Sequence, residues 1–139
     1  MSKILCLDCY EIYEKERINF DNYLEFNFCP NVNCDGAIIE VDEMILPTIK
    51  LLNQKGYMTE YCCSGHYGRD ISSIYIKFYE ECFEDIINSN LPEEFEIESG
   101  STIRYSPNEE LGSYAKFTYI MMKNIELLRW AMELADFDY

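Results

Sequence analysis

Apolar and polar residues change period along this chain, and the changes mark out its elements. Leu24-Glu25-Phe26-Asn27-Phe28 alternates with a period of two, as a strand with one buried face does. Residues 37–41, Ala-Ile-Ile-Glu-Val, read as a further short strand. Ile45, Leu46, Ile49 and Leu52 then recur at helical spacing with Asn53 beside them, and Gly56 is placed to end the helix in the left-handed conformation. Asp42 is a candidate N-cap and Glu43 would complement the helix dipole in the first turn. Pro47 lacks an amide hydrogen, so the helix either starts near Leu46 with Pro47 in its first position or kinks after a turn from Glu43.

Residues 57–63 and 71–79 read as two strands of a hairpin, the second with Ile74, Ile76 and Phe78 on one face and Tyr75, Lys77 and Tyr79 on the other. Side chains alternate along a strand, so Cys62 and Cys63 cannot share one apolar layer. Residues 80–90 predict a short helix with Phe83, Ile86 and Ile87 inward, stopped at Leu91-Pro92. Two strands follow at 95–98 and 102–105, joined by Ser99-Gly100-Ser101. Residues 113–121 set Ala115, Phe117, Tyr119 and Met121 against Tyr114, Lys116, Thr118 and Ile120, an alternation that predicts another strand. Asn124 then caps a last helix running to about Ala135, with Ile125, Leu128, Met132 and Ala135 on one face and Leu127, Ala131 and Leu134 beside it. Trp130 reads as a packing residue of that helix.

The cysteines change this picture most. Cys6-Leu7-Asp8-Cys9 and Cys29-Pro30-Asn31-Val32-Asn33-Cys34 make a Cys-x2-Cys and Cys-x4-Cys pair separated by 19 residues. Zinc takes four thiolate or imidazole ligands in a tetrahedron, and two short loops that each deliver two sulfurs satisfy it. Pro30 and Asp35-Gly36 suit a tight second loop. The expected fold is therefore α+β: an N-terminal four-cysteine zinc ribbon, residues 1–41, packed on a mixed sheet of about five strands with two or three helices, residues 42–139. The two parts form one compact unit, and the expected cofactor is a structural Zn2+ held by Cys6, Cys9, Cys29 and Cys34. With all four positions filled by protein, no site remains for a catalytic water.

Composition narrows the partners. Eleven Lys and Arg stand against 26 Asp and Glu, for a formal charge of −15. Phosphate backbones are repelled by such a surface, which disfavours nucleic acid and leaves a small anionic ligand or a protein partner. No segment reads as a leader or a membrane span, and seven cysteines, an odd number, fit metal binding in a reducing compartment better than disulfides. The expected location is the cytoplasm.

The turn after residue 63 carries the remaining chemistry. Cys63-Ser64-Gly65-His66 admits a thiol activated by the only histidine, a further metal site with Cys62 or Cys82, or a structural strand end. Glycines there allow close backbone approach, and Cys63, Ser64, Gly65, His66, Arg69 and Arg104 form the expected ligand-binding set for a nucleotide-like or anionic molecule.

Two resemblances attach to these residues. Gly56-Tyr57, Thr59 and Cys63-Ser64-Gly65, followed by Ile74 to Phe78, Ile103-Arg104 and Asn124, resemble the wybutosine-synthesis family of tRNA methyltransferases from about Asp42 onward. That resemblance implies an α/β domain whose Cys-Ser-Gly loop handles S-adenosylmethionine and a modified guanosine, with His66 here where the family has an arginine. The Cys29-Pro30 loop and the run from Leu52 to His66 also resemble small zinc-ribbon proteins of low-GC Gram-positive bacteria and their phages. This second likeness implies a phage accessory protein, for which an acidic inhibitor that covers a basic surface of another protein is a further expectation.

Overall fold

The computed structural model describes residues 2–14, 28–65 and 73–138, so the alternation expected at 24–27 lies outside the described residues. They form two antiparallel sheets and three helices, an α+β fold. Strands β1 (Ser2–Cys6), β2 (Ile12–Glu14) and β3 (Ile38–Asp42) make the first sheet in the order β2-β1-β3. Strands β4 (Thr59–Ser64), β5 (Ile74–Phe78), β6 (Glu96–Glu98) and β7 (Thr102–Tyr105) make the second in the order β4-β5-β7-β6. Helices α1 (Leu46–Gln54), α2 (Glu80–Ile87) and α3 (Ser113–Glu133) supply the other layer of the core.

Strand β1 explains how the two sheets share one interior. Its period of two sends Leu5 into the main core with Val41, Ile49, Ile76 and Leu127, while Ile4 and Cys6 face a second cluster with Cys29 and Ile38. Both faces of β1 are thus dry, which is why Ile4, Leu5 and Cys6 are buried in succession. In the second sheet, Ile74, Ile76 and Phe78 point to the core, and Ile76 stands opposite Ile103 in the β5–β7 register.

Helix α1 starts where Pro47 permits, in its first turn, and Gly56 follows it at φ +94°. Asp42 does not cap it: Asp42 ends β3, and Ile45 occupies the cap position without a side-chain bond. Buried Asn53 closes the turn into β4 instead, donating to the carbonyl of Ile49 at 2.8 Å and to the Thr59 hydroxyl at 3.1 Å. In α2, Phe83 and Ile86 are buried as their spacing predicts, but Ile87 is exposed, one position round from the inward stripe.

Residues 113–121 are the main departure from the periodicity. They are not a strand but the first turns of the 21-residue α3, so the second sheet has four strands and is antiparallel rather than mixed. The segment is so rich in large apolar residues that periods of 2 and 3.6 both fit it. Burial of Ile120, Lys123, Asn124, Leu127, Trp130 and Ala131 at helical spacing selects the helix. Asn124 is accordingly mid-helix, donating to the carbonyls of Ile120 and Ser64, and Met132 and Ile125 face outward. Trp130 is buried and donates to the Ser89 hydroxyl at 2.9 Å.

The end of α3 is fastened to the turn after α1. The Lys55 ammonium donates to the carbonyls of Ala131, Met132 and Leu134 at 2.8, 2.9 and 2.6 Å, which otherwise would lack helical partners. The Tyr57 hydroxyl donates to the Ala135 carbonyl at 2.7 Å, and its ring meets that of Phe137. Among the described residues no helix is long and apolar enough to cross a membrane.

Candidate metal centre

The last residue of β1 is Cys6, the loop after it delivers Cys9, and the loop before β3 delivers Cys29 and Cys34. Strand pairing of Cys6 with Ile38 and the bridge between Phe28 and Ala37 hold the two loops side by side. Within each loop, main-chain hydrogen bonds set the turn: Tyr10 N–H to the Cys6 carbonyl at 3.1 Å, and Cys34 N–H to the Asn31 carbonyl at 2.9 Å. Tyr10 takes the left-handed conformation, φ +63°, that reverses the first loop. Its hydroxyl reaches the Asn53 carbonyl at 3.3 Å and so links the loop to α1.

The four ligand atoms all lie within 4.8 Å of one another. Cys6 Sγ is 3.7 Å from Cys34 Sγ, and Cys9 Sγ is 3.7 Å from Cys29 Sγ. Metal–sulfur bonds of about 2.3 Å place tetrahedral sulfurs about 3.8 Å apart, and the two 3.7 Å pairs lie close to that value. Amide groups complete the surroundings. Asp8 and Cys9 N–H donate to Cys6 Sγ at 3.3 and 3.4 Å, and Gly36 N–H donates to Cys34 Sγ at 3.4 Å. A Cβ at Gly36 would collide with the Asp8 Cβ and stand 3.0 Å from Cys6 Sγ. Only glycine allows the second loop this close to the first.

Charge gives the same result as geometry. Burial acts to raise the Cys6 thiol, but the amides of Cys9 and Asp8 and the neighbouring sulfurs outweigh it, and its pKa falls below the ordinary value. At Cys34 the Gly36 amide pulls down, yet burial and the sulfurs of Cys6, Cys9 and Cys29 push the thiol up to about 12. Cys9 is likewise raised: the Glu11 amide lowers it, and burial with the Cys6 and Cys29 sulfurs prevails. Crowded sulfurs resist more than one negative charge unless a cation sits among them. Four sulfur donors this close together could hold a metal ion, and they are not the oxygen ligands that calcium and magnesium take.

One residue of this centre carried no signal in the sequence. Tyr13 on β2 brings its hydroxyl to 3.2 Å from Cys29 Sγ, and the sulfur, then burial, raise its pKa and keep it a proton donor. It is one of several tyrosines near the cysteine pairs, and only the β1–β2 register, with Tyr13 opposite Ile4, singles it out.

Of the second candidate set, Cys63, Ser64, Gly65 and Arg104 are among the described residues. His66 and Arg69 lie outside the described residues. Cys63 and Ser64 are buried at the end of β4, where the Ser64 hydroxyl donates to Asp42 Oδ2 at 2.9 Å. Gly65 follows at φ +96°. Arg104 is two strands away in the same cross-strand row, Cys63 opposite Tyr75 and Tyr75 opposite Arg104. Its guanidinium stacks 4.8 Å over the Tyr75 ring and donates to Glu98 at 2.8 Å. Cys62 packs against the core, and burial foremost, then Asp42, pushes its thiol up to about 12. Cys82 is a buried core residue whose thiol points to the Tyr79 carbonyl at 3.4 Å. Among the described residues, Cys6, Cys9, Cys29 and Cys34 are the one group of three or more potential metal ligands. Comparison with protein-family models, with curated proteins and with solved structures finds no match to this chain.

Proposed function

We propose that this chain is a zinc-binding protein whose ion is structural and joins the two loops of the N-terminal sheet. The observation that carries this reading is the pair of 3.7 Å sulfur separations, which fits a tetrathiolate around one zinc. The ion would stabilise a three-stranded sheet too small to hold alone, by a contribution on the order of 10 kcal/mol. Four protein ligands leave the ion no open coordination position, so its role is to shape the chain and not to act on a substrate. Metal analysis of the purified protein tests this: one zinc per chain is expected, and Cys9→Ser lowers that content and the melting temperature together. Purified protein that carries no metal and takes up none would end the reading.

A second reading is that the outer face of the second sheet binds a small anionic, nucleotide-like ligand. What supports it is the row from Cys63 through Tyr75 to Arg104, a flat ring beside a cation at the edge of an acidic protein. The surrounding charge would admit a mononucleotide more readily than a polymer. A thermal-shift screen with nucleotides and S-adenosylmethionine, repeated on His66→Ala and Arg104→Ala, tests it. No shift with any of them refutes the ligand reading and leaves the zinc reading standing.

A further inference from the structure

The seven cysteines differ sharply in their access to solvent. Cys9 is exposed, Cys34 and Cys62 are half-buried, and Cys6, Cys29, Cys63 and Cys82 are buried. The exposed thiol therefore belongs to the four-sulfur cluster, in the loop that follows β1. Cys62 and Cys63 are successive residues of β4, whose alternation carries their side chains to opposite faces of the sheet.

Cys9 also has a partner within reach. Its Sγ is 3.7 Å from that of Cys29, across the gap between the two loops, and the sulfurs of Cys6 and Cys34 form a second cross-loop pair at the same distance. A disulfide sets its sulfurs about 2.05 Å apart, so either pair closes with a shift of under about 2 Å. Pairing of Cys6 with Ile38 and the bridge between Phe28 and Ala37 hold the loops side by side for that step. Cys29 is buried on the inner side of the cluster, where the Tyr13 hydroxyl contacts it. An oxidant arriving from solution thus meets Cys9 first, and Cys29 is the thiol behind it.

We propose that Cys9 is an oxidative modification site, at which a hydroperoxide converts Cys9 and Cys29 to a disulfide and opens the metal centre. This inference rests on the zinc reading, because metal binding is what keeps both sulfurs as thiolates. The Cys9 thiolate attacks one peroxide oxygen: an S–O bond forms, the O–O bond breaks and hydroxide leaves. The sulfur is oxidised by two electrons and the peroxide is reduced by two. The Cys29 thiolate then attacks Cys9 Sγ, forming the S–S bond and breaking the S–O bond, and a second hydroxide leaves. In sum, two thiolates and one hydrogen peroxide give one disulfide and two hydroxide ions.

With two of the four sulfurs spent, Cys6 and Cys34 alone do not complete a tetrahedron and hold zinc far more weakly. The disulfide joins the same two loops that the ion joined, so the first sheet keeps a cross-link in both states. A dithiol reverses the change by thiol–disulfide exchange.

Titration of the zinc-loaded full chain with hydrogen peroxide, up to one equivalent, tests the proposal. A chromophoric chelator reads zinc release, and peptide mass spectrometry reads the disulfide, with cleavage before Asp8 to separate Cys6 from Cys9. Zinc should appear one for one with the Cys9–Cys29 disulfide, and dithiothreitol with added zinc should restore the loaded protein. Cys9→His keeps a fourth ligand that zinc accepts but removes the exposed thiolate, so release should slow by about tenfold or more. Should that variant take up no zinc, the disulfide map of the unaltered protein decides alone. Zinc retained under peroxide, release without this disulfide, a first disulfide elsewhere, or a loaded Cys9→His that releases zinc as fast would overturn the proposal and leave the zinc reading standing. A chain that binds no zinc at all removes both.

Discussion

The Tyr13 hydroxyl lies 3.2 Å from the sulfur of Cys29, on the buried side of the first sheet. Under the zinc reading, a phenol donating to the Cys29 thiolate would draw charge from it and orient it, as hydrogen-bond partners of metal ligands do. Tyr13→Phe should therefore keep the fold and weaken zinc binding by about 10- to 100-fold. Competition with a chromophoric chelator measures the loss. Cobalt-loaded protein should also show a shifted thiolate-to-metal absorption band.

Metal uptake should release protons. Cys34 is held up to about 12 in the metal-free cluster, by burial and the sulfurs of Cys6, Cys9 and Cys29 over the opposing Gly36 amide, so it is still a thiol at neutral pH. The metal-free state then binds more protons than the loaded state, and loading gains free energy as pH rises and loses it as pH falls. Titration calorimetry in buffers of different ionisation enthalpy should report more than a single proton released per ion. An uptake enthalpy independent of the buffer would contradict this.

Gly36→Ala should disrupt the centre without touching a ligand. The new methyl would collide with the Asp8 Cβ and press on Cys6 Sγ at 3.0 Å, so the two loops must separate. Overpacking of this kind costs about 1–3 kcal/mol. The melting temperature and the zinc stoichiometry should both fall, and a variant with unchanged zinc affinity would show that the loops yield elsewhere.

Lys55→Met removes the cation that closes α3. Three carbonyls, of Ala131, Met132 and Leu134, lose their donor, and the negative end of the helix loses its complementary charge. A loss of about 1–2 kcal/mol is expected from these effects together. Chemical denaturation should show a lower midpoint with an unchanged slope, and hydrogen exchange should quicken at the last turn of α3.

Chain-local information determined much of this protein. The cluster of Cys6, Cys9, Cys29 and Cys34 was legible because paired donors on tight loops are written in consecutive residues. Strands β3 and β5 to β7 and helices α1 and α2 were legible for a similar reason: their periodicity and their Gly and Pro boundaries lie within each element. Tertiary structure decided the rest. Residues 113–121 carry apolar side chains at both periods, and only the core that receives Ile120, Lys123 and Asn124 made them helix. Arg104 was expected in a ligand-binding set, and the folded sheet sets Tyr75 beneath its guanidinium and Glu98 as its hydrogen-bond partner. Tyr13 and Gly36 gained their roles from what stands across from them after folding, because a contact between distant segments leaves no mark on either segment alone.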